Sequence, residues 1–386
     1  MADLLAGFGR VCITPPVGAS LIGYASRTSP SLGVHDDLFA SAVALSAGGC
    51  DVLLLALDVG WFDLSDVAAL KQAVSRETGV APEAILINTS HTHAGPRVAT
   101  FVGVPPDTEY MAELTMHCAD IAAMAMADRR PASLSVGAAP VDIGMNRRER
   151  TADGRIILGV NPDGPTLPEV TVWRLARDGA PDLVFFSIPM HGTTLGGENL
   201  YISAEWMGVA VRHLEETHPG VRGLFLTGCG GDQNPYREEN RFEQVERLGV
   251  QAACAVGEAL AAAREVQPTP MRNAAWMMDL PLANGGTSMC PIHGLRLGDA
   301  VLVGLGGEPF VEYALYARKV SSAASTMALG YTDGSVGYLP VESAYAEGGY
   351  ETEANRYFPM GELWSPTVEA ALKSQIDAML QHLGVA

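Results

Sequence analysis

Short apolar runs alternate along the chain with stretches of helical periodicity, the pattern of strands interleaved with helices. Residues 51–58 and 84–87 read as buried strands. Residues 170–175 alternate like a half-buried strand, and 182–190 follow across a Gly179-Ala180-Pro181 turn. Further strands are expected at 221–226, 275–280, 300–305 and 327–331. Helical periodicity marks about 63–78, 107–127 with a cap at Asp107, 205–216, 242–264 and 367–383. No repeat, low-complexity tract or linker interrupts this order. The expectation is one domain, residues 1–386, of α/β class with mixed sheets and helices covering both outer faces.

The ends of the strands carry the chemistry. Five apolar runs finish in glycine with a polar or ionisable residue: Asp58, His91/His93, His191, Asp232 and Glu308. A sixth ends at Tyr331-Thr332-Asp333-Gly334, with Tyr338 shortly after. Ligand sites of α/β proteins gather at strand ends, where loops hold polar groups over a rigid sheet. The densest cluster is His91-Thr92-His93. In an extended segment residues i and i+2 project to one face, so both imidazoles address one small volume. Gly95-Pro96 is expected to end that strand.

A catalytic zinc takes three protein ligands from His, Asp, Glu or Cys and keeps a position open. His91, His93, His191 and Glu308 are the strand-end candidates. His35, His117, His213, His218 and His382 fall in turns, on helices or near the C-terminus and read as structural or surface residues. His293 follows Cys290-Pro291 and reads as a satisfied loop histidine.

Composition narrows the partners. Apolar residues make up 48% and charged residues 18%, enough for a large core. The net charge of −19 argues against nucleic acid and anionic membrane surfaces, both of which need a basic patch. The six cysteines are scattered without a CxxC pair and read as free thiols of a reducing compartment. The start, Met1-Ala2-Asp3-Leu4-Leu5, lacks a basic region followed by an apolar one, so a cytoplasmic location is expected. Oligomeric state has no signature in the sequence.

Several ordered segments form a series. They are Gly7-Phe8-Gly9-Arg10-Val11-Cys12-Ile13-Thr14-Pro15-Pro16 with Gly23-Tyr24, then His35-Asp36-Asp37-Leu38-Phe39-Ala40, then Thr89-Ser90-His91-Thr92-His93-Ala94-Gly95-Pro96. Met145-Asn146-Arg147, His191-Gly192-Thr193-Thr194 and Ser203-Ala204-Glu205-Trp206 follow. Gly228-Cys229-Gly230-Gly231-Asp232-Gln233-Asn234-Pro235, Gly307-Glu308-Pro309-Phe310 and Tyr338 complete it. In this order the segments resemble those of the neutral/alkaline, non-lysosomal ceramidases, a family of zinc-dependent amidases. The resemblance implies two stacked mixed β-sheets between helical layers. It also implies Zn²⁺ on His91, His191, Glu308 and Tyr338, with His93 in an acid/base or supporting role and Arg147 contacting the substrate or transition state.

The chain departs from that pattern at Asn234, where the family carries serine. Asparagine cannot be an oxygen nucleophile, so a metal-activated water is the expected attacking group, with Asn234 hydrogen-bonding a substrate carbonyl. Asp232 either orients a ligand or binds substrate at the catalytic site, or it braces a turn. The chain also ends about fifty residues after Tyr338, short of the family's C-terminal β-sandwich. It is acidic and has no basic amphipathic helix, which points away from stable membrane association.

The expected function is zinc-dependent cleavage of an amide (N-acyl) bond in a small soluble substrate. An esterase or lactonase on the same scaffold is the main alternative. A true ceramidase and a non-catalytic metal-binding protein stand behind it. Pocket shape is expected to come from loops 23–34, 102–109 and 348–364.

Overall fold

The computed structural model describes residues 4–237, 241–359 and 361–386; Met1, Ala2 and Asp3 of the N-terminal run and Met360 of the last loop lie outside them. One order of elements occurs three times among the described residues. Two successive antiparallel pairings are followed by a helix, a strand parallel to its predecessor, and a second helix. The first unit pairs Leu5–Cys12 with Phe39–Ala47 and that with Cys50–Leu57, then crosses through helix Leu64–Thr78 to the parallel strand Ile85–Thr89. The second runs Arg130–Pro140, Glu169–Arg177 and Asp182–Ile188, then helix Glu205–Thr217 and parallel strand Val221–Thr227. The third runs Met271–Pro281, Thr287–Leu297 and Ala300–Leu305, then helix Val311–Val320 and parallel strand Ser325–Leu329. Helices Thr108–Ala127, Phe242–Ala261 and Val368–Leu383 close the three units.

The first two units merge into one mixed sheet through Leu5↔Pro131 and Ala6↔Arg130, and Arg264–Val266 pairs onto Arg130–Pro140. The third forms a separate four-stranded mixed sheet. Strand alternation explains how the sheets stack. In Phe39–Ala47, Ala40, Ala42 and Ala44 face the helices, while Val43 and Leu45 face the other sheet. In Cys50–Leu57, Leu53, Leu55 and Leu57 take the helix side, and Val52 and Leu54 the inter-sheet side. Leu295, Leu297, Leu302 and Met327 of the third unit meet that inter-sheet layer. The result is helices, sheet, sheet, helices, as expected.

Helix ends follow the sequence. The Asp107 side chain accepts from the amides of Glu109 and Tyr110, and Gly79 closes Leu64–Thr78 in the left-handed region at φ 75°. Four expectations change. Strand Ile85–Thr89 stops before His91, well short of Gly95. The long helix after Phe242 ends at Ala261, not Arg264, which begins a short strand. His293 lies inside strand Thr287–Leu297, not in a loop. The segment 348–364 contains helix Tyr350–Glu353 and a 3-10 turn, Ala354–Tyr357. Strands Leu5–Cys12, Phe39–Ala47 and Arg130–Pro140 lie beyond those read from the apolar pattern. No helix among the described residues is long and apolar enough to cross a membrane.

Candidate metal centre

Each unit delivers two strand ends to one place, and these are the six clusters singled out in the sequence. Asp58 and His91 end the parallel pair of the first unit, His191 and Asp232 that of the second, and Glu308 and Asp333 that of the third. Asn88 ties the three together. Its side-chain oxygen accepts from the Thr227 amide at 2.9 Å, and its amide donates to the Gly330 carbonyl at 2.8 Å and to Thr332 Oγ1 at 3.1 Å. Asn88 is fully buried, so these bonds form away from competing water.

The imidazoles converge by a backbone kink, not by strand alternation. His91 has φ 58°, a left-handed conformation that non-glycine residues adopt at a cost of about 1–3 kcal/mol. Glu205, Tyr331 and Asp333 share it, at 58°, 50° and 59°. The surrounding contacts hold these turns. His91 N bonds the Val59 carbonyl, and His93 N bonds that of Gly192.

His91 Nδ1 lies 3.1 Å from the Gly60 carbonyl oxygen. His191 Nδ1 lies 2.7 Å from that of Gly230 and 3.0 Å from that of Gln233. A carbonyl only accepts, so both Nδ1 atoms donate and both Nε2 atoms keep a lone pair. Glu308 Oε2 sits 3.4 Å from His91 Nε2 and 3.2 Å from His191 Nε2. Ligands at zinc–nitrogen distance in a tetrahedron lie about 3.3 Å from one another, so these three atoms have the spacing of a metal site. His93 Nε2 is 3.0 Å from His91 Nε2. The three histidine ligand atoms all lie within 4.8 Å of one another. His93, unlike the other two, makes no contact with Glu308 within 4.0 Å. It therefore stands at the edge of the donor set, with its buried Nδ1 unpartnered.

The charge states suit a cation. Burial lowers the pKa of His93 well below its ordinary value, reinforced by His91 and His191, and burial with Arg147 takes His191 down to about 4. Burial alone would raise Glu308, but His91 and His191 beside it hold the carboxyl well below its usual range. Neutral imidazoles and an ionised carboxylate are the forms that bind a metal.

Arg147 enters from the strand Gly144–Arg150, which pairs with Gln233–Pro235 and so brings Asn234 alongside. Arg147 Nη1 is 3.1 Å from His191 Nε2, competing for that lone pair, and 3.3 Å from Asn234 Oδ1. Its Nε donates to Glu351 at 2.8 Å, and its Nη2 is buried without a partner. Tyr338 pairs with Glu308 in a two-residue parallel ladder. Its ring lies 6.5 Å from that of His191 and 5.3 Å under the Arg147 guanidinium.

By sequence, no protein-family model and no curated protein matches the chain. By structure, it superimposes on the neutral ceramidase of Pseudomonas aeruginosa with a TM-score of 0.84 at 16% identity, over 99% of this chain and 75% of that one. A ceramidase complexed with C2 gives the same values. The chain has the neutral ceramidase fold. At that identity the likeness is one of architecture, and the roles of individual side chains rest on their own geometry.

Within the ceramidase fold, the expected residues divide. His91, His93, His191, Glu308, Arg147 and Asn234 form one connected cluster with Tyr338 against it. Asp232 does not join it: its Oδ1 accepts from Val311 N at 2.9 Å and its Oδ2 from Asn146 at 2.7 Å, so it braces the turn. Three participants escaped the sequence reading as site residues. Tyr331 stacks on His91 at 4.1 Å and places its hydroxyl 3.3 Å from Glu308 Oε2. Glu351 clamps Arg147 and Arg148. Trp61 packs 5.6 Å from the His91 ring. Tyr331 had a signal, its place at a strand end. Glu351 and Trp61 had none: Glu351 meets Arg147 across 204 positions and Trp61 meets His91 across 30, and nothing local marks either.

Proposed function

We propose that the protein is a metal-dependent hydrolase that cleaves an amide bond in a small soluble substrate. The observation carrying this reading is the meeting of His91, His191 and Glu308, one from each unit, at tetrahedral-edge spacing. These three would hold a zinc ion, with Tyr338 beside Glu308 completing the set. Such an ion supplies Lewis acidity, polarising a carbonyl oxygen and acidifying water.

The chain's own groups supply the rest. Arg147 Nη2, buried and unpartnered, is a donor for the oxyanion that develops on the scissile carbonyl. Glu351 and Asn234 fix its orientation from two sides. His93, neutral and next to His91, can accept the proton released by the attacking water and pass it to the amine leaving group. Thr193 Oγ1, 3.4 Å from Asn234 Oδ1, restrains the asparagine that stands at the serine position of the ceramidase pattern.

The same site would also cleave esters, whose leaving groups need less protonation. Matched amide and ester substrates, with and without a chelator, test the reading. Chelation is expected to abolish both activities and zinc to restore them. Undiminished hydrolysis of either substrate in a demetallated protein would overturn it.

A further inference from the structure

Beside the metal centre lies a cleft of about 310 Å³, lined among others by Leu21, Tyr24, Arg27, Arg97, Phe101 and Val104. It shares walls with the centre. The Tyr24 ring meets the His93 ring edge-on at 5.1 Å, and Arg27 Nη1 donates to the His93 carbonyl at 2.7 Å. Phe101 packs on Trp61 at 5.2 Å, and Trp61 on His91.

Two arginines in such a wall are unusual for what they lack. Arg27 is 7% exposed. Among the described residues neither Arg27 nor Arg97 has a carboxylate within 4.0 Å, in a chain with 44 acidic residues against 25 basic ones. Their hydrogen-bond acceptors are carbonyl oxygens: Ile22, His93 and Gly197 for Arg27, Phe101 for Arg97. Arg27 Nη2 and Arg97 Nε are buried without any acceptor. Unsatisfied buried donors on a charged group are costly, more so when a second cation is near, and an anion relieves both penalties. Burial pulls both guanidinium groups down from their ordinary value, and the Arg97 charge adds to the effect on Arg27. The rest of the wall combines an apolar part, with Val102 and Val104 about half exposed at the lip, and the hydroxyl side chains Ser20, Thr28 and Ser29.

We propose that Arg27 and Arg97 form an anion subsite, and that the substrate is an amide bearing a carboxylate or phosphate next to a short apolar portion. This rests on the hydrolase reading for the word substrate, but the binding site stands on its own observations. A planar carboxylate or a phosphate is the chemistry a guanidinium recognises.

Calorimetric titration with three probes tests it: N-acetylglycine, N-acetylglycinamide and inorganic phosphate. The wild-type protein is expected to bind N-acetylglycine at least about tenfold more tightly than the neutral amide. In Arg97→Gln that preference is expected to vanish, and in Arg97→Lys to survive in part. Arg97 is the position to change because Arg27 also anchors the His93 backbone. An unchanged melting temperature certifies that the variant is folded. Binding of phosphate but not N-acetylglycine would assign the subsite to phosphorylated substrates. Equal binding of charged and neutral probes, with phosphate unbound, would overturn the proposal. Anion binding without hydrolysis of any amide would keep the subsite and remove the hydrolase reading.

Discussion

Asp232 and Asn234, two residues apart, show how neighbouring polar side chains divide between architecture and chemistry. Asp232 is consumed by the Val311 amide and Asn146, while Asn234 touches Arg147 at the centre. His91 and His93 divide in a similar way, one against Glu308 and one beyond it. His93→Gln is therefore expected to keep its metal and to lose amide hydrolysis by about 10²–10⁴-fold, with ester hydrolysis less affected; metal analysis beside the two assays checks this, and loss of the metal would make His93 a ligand. Glu205 offers a separate readout. It is buried in its left-handed turn, accepts from the Leu195 amide at 2.7 Å, and is faced by Tyr24 and Arg27. Burial raises its pKa from 4.5 to about 7. A raised carboxyl favours the folded state at low pH, and that stability is lost as pH climbs from about 4.5 through 7. Glu205→Gln removes the loss, so the variant should exceed the wild type by about 3 kcal/mol at pH 8 and match it below pH 4. Denaturant titrations across that range measure the difference; a constant difference would place the Glu205 pKa elsewhere.

At the level of elements, the apolar pattern located the parallel pair of each unit because those strands are buried on both faces and read as continuous hydrophobic runs. The strands missed are those whose helix side is built from small residues. Phe39–Ala47 interleaves alanine and serine with Val43 and Leu45, and Leu5–Cys12 contains Gly7 and Gly9, where an added Cβ would lie within 2.3 Å of helix carbonyl oxygens. Their composition serves close helix packing and hides the strand signal. The histidine pair was legible, but the reason it converges was not: strand alternation was expected, and a left-handed turn at His91 does it instead. Asn88 was equally silent in sequence. Asn88→Ala would strip three bonds and leave the Thr227 amide buried without its acceptor, while the Gly330 carbonyl keeps the Thr332 hydroxyl. A loss of about 2–4 kcal/mol is expected in urea unfolding. A loss under about 0.5 kcal/mol would show that the three strand ends hold together without it.

For the whole molecule, the recurring unit explains why one ligand comes from each third of the chain. A parallel pair crossed by a helix ends both strands on the same side, where polar loops collect. Three such ends meeting at one point give His91, His191 and Glu308, each from a unit that packs its helices on its own cluster while all three share the layer between the sheets. Losing any one should empty the centre without unfolding the other two units. Metal content per chain is the direct test of this arrangement, measured on the wild type and on His91→Ala, His191→Ala and Glu308→Gln. About one zinc per wild-type chain is expected, with a sharp loss in each variant and helical content preserved. A wild-type protein that hydrolyses its substrate without metal, or variants that retain the full equivalent, would contradict it.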